Sequence, residues 1–251
     1  MMPITETVKH LLIVNILLFA AAYFIPEIQA FFPMYYFENP NFDFWQPFTS
    51  MFMHGNIPHI LLNMFGLYMF GSTLEQFWGG KKFLFFYISC GLGAALVHQG
   101  VSYYEFHSAY NVLIENGLST EEIRTLLDTG SVIPQNASDN KDVLQQAVYS
   151  LSGAYKIPVV GASGALYGIL VAFAFMFPDV KLMLLFLPVP IKAKYFVPAI
   201  LLIDLFSGLN GNSIFGMNTG IAHFAHLGGA LTGFLMMKYW KKNEFNQNRW
   251  D

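Results

Sequence analysis

Polar residues along the 251-residue chain are gathered into groups, and between them run long stretches in which apolar side chains would cover a helix on every side. A helix on the surface of a soluble domain shows polar residues every three or four positions, so these stretches read as helices solvated by lipid. Crossing the hydrocarbon takes about 20 apolar residues at a rise of about 1.5 Å each. Six stretches approach that length, at 8–25, 58–77, 83–102, 159–177, 195–209 and 219–240, the fifth being short. The pattern predicts an all-α, polytopic membrane protein: a single six-helix membrane domain over 1–251 with a short polar tail at 241–251.

Between the third and fourth stretches lies the one long polar segment, 103–158, expected to be a partly helical loop. Within it "LSTEEIRTLL" reads as a capped helix, with Ser119 or Thr120 accepting from free backbone N–H groups and acids in the first turn. "IPQNASDN" in its middle reads as turn.

Composition strengthens the membrane reading, with 55% hydrophobic residues, 12% charged and 26 Phe. A formal net charge of −3 gives no reason to expect a nucleic-acid partner. The single cysteine, Cys90, excludes an internal disulfide or a cysteine-rich metal site. Residues 1–10 lack the features of a removable signal peptide, so the first stretch is expected to be a retained anchor. With the N-terminus inside, Lys9, Lys81, Lys82, Lys181, Lys192, Lys194, Lys238, Lys241, Lys242 and Arg249 fall on the inner side, and only Arg124, Lys141 and Lys156 outside. That bias predicts cytoplasmic termini. The expected setting is a bacterial cytoplasmic membrane.

Polar groups inside spans are costly and tend to mark helix contacts or chemistry. His59 and Asn63 lie four apart, on one face near the outer end of the second stretch. Ser163 follows Pro158 by five residues at the outer end of the fourth, and His226 lies seven residues into the sixth. By helix rise all of these sit at one level. Gly164 with Gly168, and Gly229 with Gly233, are small residues spaced by four, which lets membrane helices approach closely. Tyr167, one turn below Ser163, is placed to pack on an imidazole from the sixth helix.

A serine hydroxyl needs a base within reach to become a nucleophile, and His226 is the candidate. The Ser163 backbone N–H, the Asn63 amide and His59 are candidate oxyanion donors. The only acids placed near span ends are Glu75 and Asp204. Glu75 falls at the inner end, and no carboxylate is expected beside the serine and histidine, so a dyad is expected rather than a triad. His223, one turn before His226, is a competing base or an interhelical hydrogen-bonding group. The four histidines His54, His59, His223 and His226 raise a metal, but H-E-x-x-H is absent and no carboxylate is expected beside them. No metal or cofactor is therefore expected. Gly161–Ala165 reads G-A-S-G-A, not the G-x-S-x-G of a hydrolase elbow.

"HILLN", "GASG" with Tyr167, and "AHLGG", in that order, resemble the motifs of the rhomboid intramembrane serine proteases. "FDFWQPFTSMFMH", ending at His54, resembles that family's first outer loop. The resemblance implies Ser163 as nucleophile, His226 as base, and His59 and Asn63 as oxyanion donors. Gly161, Gly164, Tyr167, Gly229, Gly233 and His54 would support them. It also implies a six-helix bundle that cleaves other proteins' transmembrane segments near their outer ends, with lipid as solvent. Gln46 stands where the family loop often carries arginine, and segment 103–158 is longer than in compact members. The competing reading is a non-catalytic relative that binds membrane proteins. A transporter is disfavoured because the polar set clusters at one outer level and does not line a path.

Overall fold

The structure, a computed structural model, describes residues 3–129, 141–184, 187–210 and 220–247, with side chains described except at 184, 187, 188, 210, 220–222 and 242–247. The chain runs through α1 (Glu6–Phe24), α2 (Pro26–Phe31), α3 (Gln46–Thr49), α4 (Ile57–Gly66), α5 (Ser72–Trp78) and α6 (Gly80–Glu115). After α6 come α7 (Thr120–Thr129), α8 (Lys141–Lys156), α9 (Ser163–Met176), β1 (Lys181–Leu184), β2 (Leu187–Lys192), α10 (Ala193–Asn210) and α11 (Gly220–Gln247). It is mostly helical. Among the described residues three helices are long and apolar enough to cross a membrane: Glu6–Phe24, Ile57–Trp78 and Gly80–Glu115. Ser163–Met176 is a shorter apolar helix.

The second of these joins α4 to α5 through a wider π-type turn at Leu67–Gly71. Asn56 starts α4 by accepting from the His59 backbone N–H at 2.9 Å. At its far end Glu75 reaches α1: its carboxylate accepts from Thr5 Oγ1 at 2.5 Å and from the Thr7 and Val8 backbone N–H groups at 2.9 Å. An acidic group on these otherwise unpaired donors caps α1 and ties it to the bundle.

The main core gathers Val8 and Leu11, Met64 and Leu67, Phe83, Phe86, Tyr87 and Cys90, and Ala165, Ile169 and Ala172. Around it, large apolar side chains point outward on most long helices, including Leu17, Leu62, Leu96, Leu202, Phe206 and Leu235. A water-soluble protein would not display apolar surface on this scale, whereas lipid solvates it. Helix α11 packs against α6, α9 and α10. At its contact with α9, a Cβ at Gly229 would collide with the Gly164 carbonyl, and one at Gly233 would lie 2.8 Å from Gly168 Cα.

Several boundaries differ from the sequence reading. Helix α6 has 36 residues and continues past 102 to Glu115, so the 103–158 segment begins as an extension of the helix. With α7 and α8 it builds a second core from Phe106, Ala109, Leu113, Ile123, Leu126, Leu144 and Leu151. The alternation there is amphipathic, and stacking the three helices buries it. Ser119 caps α7 reciprocally: its N–H and Oγ donate to Glu122 Oε2 at 2.8 and 2.7 Å, while the Glu122 N–H donates to Ser119 Oγ at 3.3 Å. These bonds hold the Glu122 carboxyl below the usual range. The expected turn at 133–140 lies outside the described residues, as does Thr219.

The fourth helix begins at Ser163, not at 159. Val159 is extended, exchanging backbone hydrogen bonds with Met34 at 3.0 and 2.8 Å, and Gly161 has φ +126°. The serine's depth is thus set by this pairing and not by helix rise from Pro158. An all-α reading also missed the antiparallel hairpin of β1 and β2, where Lys181 pairs with Lys192 and Leu182 with Ile191. Pro190 locks its φ near an extended value, which suits a strand that pairs on one edge only among the described residues. Helix α11 runs on to Gln247 where a polar tail was expected from 241.

Candidate active site

The segment 157–162, extended where Val159 pairs with Met34 and turning at Gly161 and Ala162, delivers Ser163 as the first residue of α9. Two features of Gly161 make that turn possible. Its φ of +126° suits only glycine, and a Cβ there would lie 2.7 Å from His59 Nε2. The His59 ring is therefore packed directly onto the backbone that leads to the serine. The Gly161 N–H donates to the Ser50 carbonyl at 2.9 Å, anchoring this segment to the stretch between α2 and α4.

Ser163 Oγ lies 2.8 Å from His226 Nε2, a hydrogen-bond distance between residues 63 apart in sequence. Tyr167 stacks on the His226 ring, with centroids 4.2 Å apart and planes at 10°, which fixes the ring's orientation. The close contact of Gly164 and Gly168 with Gly229 and Gly233 lets α9 and α11 approach enough for Ser163 and His226 to meet. Because Ser163 opens α9, its own N–H and those of the next residues have no partner within the helix. Asn63 is buried one turn along α4 from His59, and its Nδ2 has no hydrogen-bond partner. His54 packs edge-on against His59 at 5.1 Å. A cavity of about 40 Å³ is lined by Met34, Ser50, Gly161, Ser163 and His226 among others.

One expectation is overturned. A carboxylate does sit beside the histidine: Asp204, buried on α10, places its two oxygens 3.5 and 3.4 Å from His226 Nδ1. The same carboxylate forms a short hydrogen bond with His223 Nδ1. His223 thus contacts α10, not the serine. The sequence reading placed Asp204 merely near a span end. It carried a usable signal, since an ionisable residue within an apolar helix is a site candidate by default.

The segment between α2 and α4 is held without an arginine. Gln46 is fully buried, its Oε1 accepting from the Tyr35 N–H at 3.1 Å and its Nε2 donating to the carbonyls of Asn41 at 2.7 Å and Phe31 at 3.3 Å. Helices α6 and α8 brace the same segment. Gln99 Nε2 donates to the Tyr35 carbonyl at 2.7 Å, Asn39 Nδ2 to the Tyr155 carbonyl at 2.7 Å, and His107 lies 3.2 Å from Glu38. Tyr36 is buried there, and that burial, with Glu38 beside it, pushes its hydroxyl pKa up. None of these cross-links was legible in the sequence, because each joins segments more than 60 residues apart in the chain.

The chain is similar to RHOMBOID-like protein 12, mitochondrial, of Arabidopsis thaliana, at 28% identity over 78% of this chain and 46% of that protein. It is similar to Rhomboid protease AarA of Providencia stuartii, at 27% over 77% of this chain and 55% of that protein. It also resembles the human Presenilin-associated rhomboid-like protein, mitochondrial, at 26% over 95% of this chain and 51% of that protein. The chain spans about half the length of these relatives. The sequence model of the Rhomboid domain matches residues 41–118 and 141–242, more than half of the chain, which therefore belongs to the rhomboid family.

Proposed function

We propose that the chain is an intramembrane serine endopeptidase that cleaves peptide bonds in or near the outer part of other proteins' transmembrane segments. The observation that carries this reading is the 2.8 Å approach of Ser163 Oγ to His226 Nε2. In the proposed mechanism the neutral imidazole accepts the Ser163 proton at Nε2 as Oγ attacks the scissile carbonyl, then returns it to the leaving amine. Its Nδ1–H faces Asp204, whose charge favours this tautomer and stabilises the imidazolium that forms. The free N–H groups at the start of α9, Asn63 Nδ2 and His59 receive the oxyanion. The cavity beside Ser163 is large enough for one water, which would hydrolyse the acyl-enzyme.

The membrane arrangement proposed with it has six spans, formed by α1, α4 with α5, α6, α9, α10 and α11, in a single domain with α7 and α8 on the outer side. Both termini are inside, and lipid and transmembrane substrates are the partners. The proposed setting is a bacterial cytoplasmic membrane, while the similar proteins named above include both mitochondrial and bacterial ones.

The test is cleavage of a reporter transmembrane segment in liposomes by the purified chain and two variants. Wild type cleaves, Ser163→Ala gives no product, and His226→Ala slows cleavage by about 10²–10⁴-fold. Product from purified Ser163→Ala overturns the serine mechanism. A folded wild type that binds the segment, cleaves none of a panel of segments and takes no label from an active-site serine probe selects the non-catalytic reading.

A further inference from the structure

Asp204, His223 and His226 bring three metal-ligating side chains together on two adjacent helices, with one donor atom from each within 4.8 Å of the others. The donor set is two imidazoles and a carboxylate, the chemistry that suits zinc among the available dications. Asp204 is buried, so its charge is little screened by water. His223 Nε2 is likewise buried and has no hydrogen-bond partner. The two histidine side chains keep 13% and 20% of their surface exposed, leaving a small ion a way in.

We propose that these three residues form an inhibitory Zn(II) site. Donors around tetrahedral zinc at bond lengths of about 2.0–2.1 Å sit roughly 3.3–3.5 Å apart, so an ångström or so of side-chain rotation closes the cluster. His226 would bind through Nδ1, the nitrogen facing Asp204, because Nε2 already faces Ser163. A neutral imidazole that gives its Nδ1 lone pair to the metal carries its proton on Nε2. That nitrogen then donates to Ser163 and can no longer accept the hydroxyl proton. Metal binding and general-base action therefore exclude each other, and the ion switches off a site it does not help to build.

The inhibitory part rests on the proteolytic reading above, whereas the binding part does not, and the experiment separates them. Chelator-treated Ser163→Ala protein, which keeps all three ligands, is titrated with Co(II) and followed by its visible ligand-field bands, then with Zn(II) in competition. Expected is one site per chain with tetrahedral cobalt bands that zinc abolishes. Asp204→Asn and His223→Gln made in the same background should each weaken binding by at least about tenfold. Wild-type cleavage should fall as zinc fills the site and return with EDTA. Absence of tetrahedral bands in the Ser163→Ala protein, or affinity unchanged in both ligand variants, overturns the proposal. So does full cleavage by zinc-loaded wild type. Cobalt binding by a wild type that never cleaves leaves the site standing and removes the protease reading instead.

Discussion

Gly229→Ala tests how closely the proposed chemistry depends on helix spacing. A Cβ at Gly229 lies 2.6 Å from the Gly164 carbonyl carbon, against an ordinary carbon–carbon contact of about 3.5–4.0 Å, so α11 must retreat from α9 by about 1 Å. The obstacle is backbone, which cannot rotate away as a side chain would. Ser163 and His226 ride on these two helices. Their 2.8 Å separation would grow to about 3.8 Å, beyond the limit of a useful hydrogen bond. A misplacement of that size costs about 10²-fold in rate, and the overpacking itself about 1–3 kcal/mol of stability. The assay pairs initial rates on a reporter segment with thermal unfolding in the same detergent. Leu231→Ala, at a position 53% exposed on the same helix, is the control for trimming α11 without touching α9. Gly229→Ala that unfolds normally and cleaves at the wild-type rate refutes the reasoning, as does an equal loss in Leu231→Ala.

Three further outcomes follow from contacts described above. Asp204→Asn keeps the shape but removes the charge facing His226 Nδ1. It should lower kcat by about tenfold or more with little change in KM, and a wild-type kcat removes Asp204 from the mechanism. Glu75→Gln weakens three hydrogen bonds at the start of α1 and should destabilise the bundle by about 1–3 kcal/mol, read as a lowered unfolding midpoint in detergent. Lys192 and Lys194, each 2.9 Å from Asp179, pull its carboxyl down to about 2 from 3.8. A lowered pKa stabilises the folded state fully above the unfolded value and loses that contribution as pH falls through the folded one. Amide exchange in the hairpin, corrected for intrinsic rates, should therefore show no change through this pair above pH 5 and rising exposure as pH drops from about 4 towards 2. Asp179→Asn should abolish that dependence.

What could be read from the chain alone was local. Apolar runs identify membrane helices because each must satisfy its own backbone in lipid, whatever its neighbours do. Ser163, His226, His59 and Asn63 were marked by polar chemistry and spacing inside such runs, and the glycine pairs by their four-residue repeat. What only the tertiary structure decided was everything that depends on distance between helices. Val159 is extended because it pairs with Met34, and Ser163 begins a helix because Gly161 turns the chain against His59. Asp204 meets His226 because α10 packs beside α11, across a gap of 22 residues that no helical period reports. The run of α6 beyond 102 is held by burial against α7 and α8, a gain that exists only once the three helices are assembled. Local patterns determine which segments are helical and which residues can react, and packing determines which of them touch.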